Sequence, residues 1–154
     1  MMYMKSSLGK IKQSKSLSDT AVLAGVFLKN ITPHRDGATI FGLSGDLGSG
    51  KTAFTKEVAH LLGIKKEEVT SPTFVIEKIY LISHKDFSHL IHIDAYRLDS
   101  PEELLHLGWE DIRKDPKNLI LIEWPEKVKT LLPSQTQYLS FIFVDENTRD
   151  IILP

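Results

Sequence analysis

The stretch that decides the fold of this chain is Gly45-Asp46-Leu47-Gly48-Ser49-Gly50-Lys51-Thr52. It fits the pattern G-x-x-x-x-G-K-[ST], in which glycines let successive backbone N–H groups converge on a phosphate. The pattern predicts that Lys51 contacts the β- and γ-phosphates of a nucleotide and that the Thr52 hydroxyl ligates Mg²⁺. This stretch therefore predicts a nucleotide-phosphate site.

The residues on both sides of this loop have the character that such a site requires. Residues 39–43 (Thr-Ile-Phe-Gly-Leu) are short, apolar and partly β-branched, which predicts a buried strand. Apolar residues between 54 and 62 recur at helical spacing, and Gly63 stands where a helix would end. Strand, glycine loop and helix follow in the order that places a phosphate at a helix N-terminus.

Composition places the chain among soluble globular proteins of one domain. Of 154 residues, 42% are hydrophobic and 25% are charged, and the net charge of −1 provides no global field for nucleic acid. The sequence has no cysteine, which excludes disulfides and zinc-thiolate sites. No apolar run approaches the ~20 residues of a membrane span, and no secretory signal is visible at the N-terminus. We therefore expect a cytoplasmic protein without a membrane association.

The N-terminal residues differ from the rest in charge and polarity. Residues 1–15 carry a cluster of lysines (Lys5, Lys10, Lys12 and Lys15) and are predicted to be a flexible basic arm, with RNA contact as the alternative. Ser16 and Asp19 resemble a capping box, which predicts the start of a helix after this arm. No internal repeat or low-complexity linker divides the remaining residues, so a single domain is predicted over residues 16–154.

The remaining patterns predict the fold class. Residues 74–80 and 89–94 read as strands joined by a short turn, and residues 138–144 and 149–153 as a second hairpin. Residues 118–122 are apolar on both faces, as in a central strand. We predict an α/β fold: a P-loop NTPase-like mixed β-sheet with flanking helices and antiparallel strands at the edge.

Two acids stand at predicted strand ends. Asp94 follows residues 89–93, and Glu123 follows residues 119–122. Because ligands of open α/β sheets collect at the carboxyl ends of strands, both acids are candidates to face Lys51 and Thr52. A helix cap or a surface ion pair is the alternative for each.

Four further side chains have a functional and a structural interpretation. Thr73 lies in a proline-stiffened loop, where a switch threonine or a turn residue fits equally. Arg97 is a candidate to neutralise phosphate charge or to form a surface ion pair. His92 shares a face of its predicted strand with Leu90 and Asp94, which favours a core histidine with a satisfied hydrogen bond. Thr20 lies on the apolar face of a predicted helix near its start, which favours a helix cap or a buried hydroxyl with a partner. The guanine-reading pattern N-K-x-D is absent, so ATP is expected rather than GTP.

Four segments in this order resemble the bacterial TsaE (YjeE) ATPase family. They are residues 45–52, Ser71-Pro72-Thr73-Phe74, His92-Ile93-Asp94-Ala95-Tyr96-Arg97-Leu98 and Leu121-Ile122-Glu123-Trp124-Pro125. The resemblance implies a small ATPase that binds ATP, ADP and Mg²⁺ and serves tRNA N6-threonylcarbamoyladenosine (t6A) biosynthesis. It also implies that the partners are TsaB and TsaD, that ATP hydrolysis resets the TsaB–TsaD complex, and that tRNA is contacted only through that complex.

The resemblance also implies roles for individual residues. It assigns phosphate binding to residues 45–52, the Mg²⁺ shell to Thr52 and Glu123, a Walker-B-like acid to Asp94 and a switch-like threonine to Thr73. Thr20 matches a threonine near the nucleotide base, against the structural interpretation given above.

Some points stay open at the level of sequence. Arg149 falls where the family has a Gly-Arg pair near nucleotide, but Thr148 replaces the glycine here. Either Asp94 or Glu123 is a candidate to orient the attacking water. A small-molecule kinase and a nucleotide-gated binding module remain the alternative functions, and hydrolysis is expected to be slow without a partner.

Overall fold

We describe the fold from a computed structural model, which describes residues 10–69 and 76–154. Within these residues the strands are β1 (Ile11–Ser14), β2 (Thr39–Ser44), β3 (Glu77–Leu81), β4 (His89–Asp94), β5 (Asn118–Glu123), β6 (Gln137–Asp145) and β7 (Thr148–Ile152). The helices are α1 (Leu17–Asn30), α2 (Lys51–Leu61), α3 (Glu102–Leu105) and α4 (Trp109–Ile112), with 3₁₀ turns at Lys66–Glu68 and Pro125–Leu131.

All of these strands belong to one sheet, in the order β1-β7-β6-β2-β5-β4-β3. The pairs β6–β2, β2–β5 and β5–β4 are parallel, whereas the pairs β1–β7, β6–β7 and β3–β4 are antiparallel. This arrangement confirms the predicted mixed sheet with antiparallel strands at its edges.

The middle strand β5 shows why the sheet has a core on both faces. Every residue from Asn118 to Glu123 is buried. Leu119 and Leu121 join the cluster that contains the α1 and α2 side chains, whereas Ile120 and Ile122 join the cluster around Trp109 on the other face. Successive side chains of a strand point to opposite faces, so one apolar strand supplies both cores.

Helices α1 and α2 pack side by side on one face of the sheet. Ser16 caps α1, because its side chain accepts a hydrogen bond from the Asp19 backbone N–H at 3.0 Å, as the sequence predicts. Phe27 of α1 makes edge-to-face contacts with Phe41 of β2 and Phe54 of α2, at centroid distances of 4.7 and 5.4 Å. These contacts fix α2, and with it the phosphate loop, against the sheet.

The prediction of a flexible arm over residues 1–15 is wrong for its last residues, because Ile11–Ser14 form the edge strand β1. This strand pairs antiparallel with β7, with Ile11 opposite Ile152 and Ser14 opposite Arg149. The lysines in this stretch suggested a solvated arm, but lysines are also common on edge strands. The strand forms because its backbone pairs with β7, which is far away in the sequence. Residues 1–9 lie outside the described part of the chain.

The described helices bear on membrane association in one respect. Within residues 10–69 and 76–154, no helix combines the length and the apolar composition that crossing a bilayer requires.

Candidate functional site

The phosphate loop connects β2 to α2 and is shaped by glycines with positive φ angles. Gly45 has a φ of 152°, and a Cβ there would collide with the Phe141 carbonyl oxygen. Gly50 has a φ of 104°, and a Cβ there would lie 2.7 Å from Arg149 Cδ. Gly50 is also the N-cap of α2 and offers no side chain to the first helical turn. The N–H groups at the start of α2 therefore face the cavity side of the loop, where an anion is stabilised.

Lys51 is the first residue of α2 and is buried against the loop. Its Nζ donates hydrogen bonds to the carbonyl oxygens of Gly45 and Asp46, and it lies 4.0 Å from the centroid of the Trp124 ring. Burial lowers the pKa of Lys51, while the nearby carboxylate of Glu123 acts in the opposite direction. The ammonium group is thus held inside the loop by carbonyl oxygens and an aromatic face.

Glu123 ends β5 and is joined to the phosphate loop by a direct hydrogen bond. Thr52 Oγ1 donates to Glu123 Oε1 at 2.9 Å. The other carboxylate oxygen, Oε2, lies 2.6 Å from Nε2 of His92, which is fully buried on β4. Both oxygens of this buried carboxylate are therefore engaged, which fixes its orientation.

Asp94 ends β4 directly beside Glu123. The two residues are register partners in the parallel β4–β5 pair, so both acids emerge at the same edge of the sheet. Asp94 is half-buried, and its Oδ1 accepts a hydrogen bond from the Tyr96 backbone N–H at 3.0 Å. Burial raises the pKa of Asp94, and the hydrogen bond from Tyr96 opposes that shift.

These groups surround a cavity of about 630 Å³ beside the phosphate loop. Its volume is within the range of small-molecule sites. The side chains and backbone that line it are Leu47, Gly48, Ser49, Gly50, Lys51, Thr52, Ala53, Ile76, Asp94, Tyr96, Arg97, Glu123, Trp124 and Arg149.

The structure brings most of the predicted site residues together at this cavity. Gly45 and Asp46 lie behind its wall, where their carbonyl oxygens hold Lys51. Thr20 lies elsewhere: it is buried, and its hydroxyl shares a 2.8 Å hydrogen bond with Ser14 Oγ. That contact matches the buried-hydroxyl interpretation from the residues alone. Thr73 lies outside the described residues.

Sequence reasoning missed two side chains that contact the site. It interpreted His92 as a core histidine, and the ring is indeed buried, but its partner is the site acid Glu123. Trp124 was named only within a segment that resembles the family, whereas its ring faces Lys51 and lies 5.0 Å from the Tyr96 ring. Trp124 has φ 60° and ψ 53°, a left-handed conformation that is uncommon outside glycine. For His92, a sequence signal was available, because strand alternation places it on the same face as Asp94. For Trp124, no such signal was available.

The oxygen groups at the site fit Mg²⁺ bound together with phosphate. Thr52, Glu123 and Asp94 supply hydroxyl and carboxylate oxygens, the ligand class that Mg²⁺ prefers. Among the residues that the structure describes, no group of three or more His, Cys, Asp or Glu side chains is arranged to hold a metal. Magnesium commonly uses one or two carboxylates and completes its shell with phosphate and water, so this donor set fits a nucleotide-dependent metal.

Comparison with known proteins gives a consistent result. A family model described as "Threonylcarbamoyl adenosine biosynthesis protein TsaE" matches residues 14–151. The chain is 38% identical to the tRNA threonylcarbamoyladenosine biosynthesis protein TsaE of Rickettsia typhi over 135 residues, which cover 87% of each chain. It is 35% identical to the protein of the same name from Treponema pallidum over 138 residues, which cover 90% of this chain and 95% of the relative.

A solved structure agrees with the fold. YdiB from Bacillus subtilis superposes with a TM-score of 0.64 at 26% sequence identity, and the match covers 92% of this chain and 82% of that chain.

Proposed function

This chain belongs to the TsaE family of tRNA threonylcarbamoyladenosine biosynthesis proteins, and from that premise we propose that it is a Mg²⁺-dependent ATPase. In this proposal ATP hydrolysis resets a TsaB–TsaD complex during t6A biosynthesis. The protein acts in the cytoplasm and meets tRNA only through that complex.

One observation carries the ATPase proposal. The hydroxyl of Thr52, the last residue of the phosphate-loop pattern, donates to the carboxylate of Glu123 at 2.9 Å, although the residues are 71 positions apart. A phosphate loop alone binds anions, but a strand-end acid at this position adds the second oxygen that a metal shell needs. The contact therefore supports metal-assisted phosphoryl transfer rather than simple phosphate binding.

The residues around the cavity divide the chemical work. Backbone N–H groups of the loop and the Lys51 ammonium bind the phosphates and stabilise the charge on the transferring phosphoryl group. When bound, Mg²⁺ supplies further neutralisation of the phosphate oxygens. Thr52 and Glu123 would hold the ion, because their mutual hydrogen bond and the contact of Glu123 with His92 already orient both side chains.

Asp94 is the better candidate to orient the attacking water. It lines the cavity next to Glu123 and is less deeply buried, with one oxygen anchored by the Tyr96 N–H. This hydrogen bond holds the Asp94 carboxylate at the carboxyl end of β4, where it can accept a proton from a water in the cavity.

Phosphate release from Mg-ATP tests the proposal. It is measured for the purified protein alone, with TsaB–TsaD, and with Lys51→Ala in place of the native chain. We expect release that increases with the partners and falls at least about 100-fold in the variant, because a charge-stabilising donor is lost.

Other outcomes would decide between the alternatives. Nucleotide binding with no release under either condition would contradict the ATPase proposal and favour a nucleotide-gated module. Release that depends on an added acceptor molecule would favour a kinase. Equal rates with and without TsaB–TsaD would contradict the role of the partners.

A further inference from the structure

His92 is a buried histidine whose main contact is with the site and not with the core. Its side chain has no exposed surface and lies behind Glu123 on β4, outside the wall of the cavity. In the sheet it is the register partner of Leu121 on β5, two residues before the Asp94–Glu123 pair. It therefore cannot reach a nucleotide in the cavity directly, and any effect on the reaction must pass through Glu123.

The geometry around Glu123 assigns one neighbour to each carboxylate oxygen. His92 Nε2 lies 2.6 Å from Oε2, and Thr52 Oγ1 donates to Oε1 at 2.9 Å. A glutamate side chain has three rotatable bonds, so a carboxylate held on one oxygen alone can still swing away from Thr52. The contact with His92 removes that freedom.

The surroundings of the other ring nitrogen, Nδ1, indicate which of the two nitrogens carries the proton. His92 Nδ1 is buried and has no hydrogen-bond partner among the described residues. A buried N–H donor without an acceptor is costlier than an unpaired acceptor nitrogen, so the proton belongs on Nε2. His92 then donates to Glu123, which keeps that carboxylate an acceptor for Thr52 and a metal.

We propose that His92 is a positioning residue that orients Glu123 toward Thr52 and thereby completes the magnesium shell. This inference rests on the proposed function, since it assumes that Glu123 serves a nucleotide-bound Mg²⁺. Carboxylates that bind metals are themselves oriented by hydrogen bonds from neighbouring groups, and loss of such a neighbour costs about 10–100-fold in metal affinity or activity.

Two amide variants separate positioning from packing. His92→Gln places an amide N–H near the position of Nε2, whereas His92→Asn is polar but too short to reach Glu123. The affinity of the full-length protein for ATP is measured by calorimetry in Mg²⁺ and in EDTA, and the ratio reports the metal contribution. We expect this ratio to fall about 10-fold in His92→Asn and to stay within about 3-fold of the native value in His92→Gln. Affinity in EDTA should not change.

His92→Leu repeats the test with a similar volume and no donor, and it should behave as His92→Asn does. In a Glu123→Gln background, His92→Asn should have no further effect on the ratio. An unchanged ratio in both His92→Asn and His92→Leu, or an equal fall in His92→Gln, would overturn the proposal.

A measurement on the native protein covers the case in which His92→Asn and His92→Leu do not fold. The His92 ring nitrogens are observed by ¹⁵N NMR, and the proton is expected on Nε2. The Nε2 resonance should shift when Mg²⁺ is added to the ADP complex and stay unchanged when ADP is added in EDTA. An Nε2 resonance that does not shift when Mg²⁺ is added would overturn the proposal. Failure of the native protein to bind ATP at all would instead contradict the proposed function.

Discussion

The centre and the edges of the sheet differ in how tightly they fix their side chains. Strand β5 is buried at all six of its positions, and its last residue is the site acid Glu123. On the edge strand β3, Leu81 is 79% exposed, and on β6 near its hairpin turn Phe143 is 53% exposed. The centre has cores on both faces, whereas these positions on β3 and β6 face solvent. We call β3 at one side of the sheet, and β6, β7 and β1 at the other, its edge regions.

This difference determines what each region contributes to the cavity. The central strands place Asp94 and Glu123 side by side, because their parallel register is fixed by apolar neighbours on both faces. The edge hairpin contributes Arg149, whose side chain reaches across to Gly50. The two acids are thus placed by the register of well-buried strands, whereas Arg149 comes from a strand with partly exposed side chains.

The largest expected effect is on hydrolysis. Glu123→Gln should reduce ATP hydrolysis by about 100-fold or more, since the neutral amide is a poorer partner for the metal. Arg149→Ala, the edge counterpart, should reduce it by only about 10-fold. Single-turnover phosphate release measures both. Equal losses would show that the edge matters as much as the centre.

Stability should follow the same division between centre and edge. Leu121→Ala on β5 removes a fully buried side chain and should lower the free energy of unfolding by about 3 kcal/mol. Ile142→Ala on β6, where the side chain is 49% exposed, should cost less than about 1 kcal/mol. Urea denaturation compares the two, and a similar cost would contradict the division.

The close approach of Arg149 to the phosphate loop can be tested by replacing Gly50. Gly50→Ala introduces a Cβ at a φ of 104° and within 2.7 Å of Arg149 Cδ, so we expect about a 10-fold loss in ATP affinity. Gly63→Ala is the matched control, with a φ of 94° and open space around its Cβ. It should lower stability by about 1 kcal/mol and leave ATP affinity unchanged. Calorimetric titration and thermal unfolding separate the two effects.

The smallest expected effect concerns pH and the half-buried Glu77 on the edge strand β3. Burial raises the pKa of Glu77 to about 7 from 4.5. The folded state then binds more protons than the unfolded state between these values, so this group makes stability fall as pH increases from about 4.5 to 7. Solvent screening at this half-exposed side chain limits the change to about 1 kcal/mol.

Replacing Glu77 isolates its share of that pH dependence. Glu77→Gln should flatten the dependence of the melting temperature on pH between 5 and 7 by the amount that this carboxyl contributes. An identical pH profile in the variant would show that Glu77 is not responsible.

Local sequence patterns were sufficient for most of the central fold and for several site residues. The phosphate loop, the capped helix α1 and the apolar strand β5 each have a signature within a few neighbouring residues, and the structure contains all three. The strand-end acids Asp94 and Glu123 could be identified because parallel strands end at a common edge.

Residue patterns alone were therefore enough to predict most of the elements, the phosphate loop and the two acids, because these depend on short-range periodicity and turn chemistry. Only the tertiary structure decided that residues 11–14 pair with β7, that His92 contacts Glu123, and that Trp124 covers Lys51. These contacts join residues 31 to more than 100 positions apart in the chain, or depend on a backbone conformation such as that of Trp124. Such contacts are set by how the sheet and helices pack, and a short-range pattern gives at most the face on which a residue lies, not its partner.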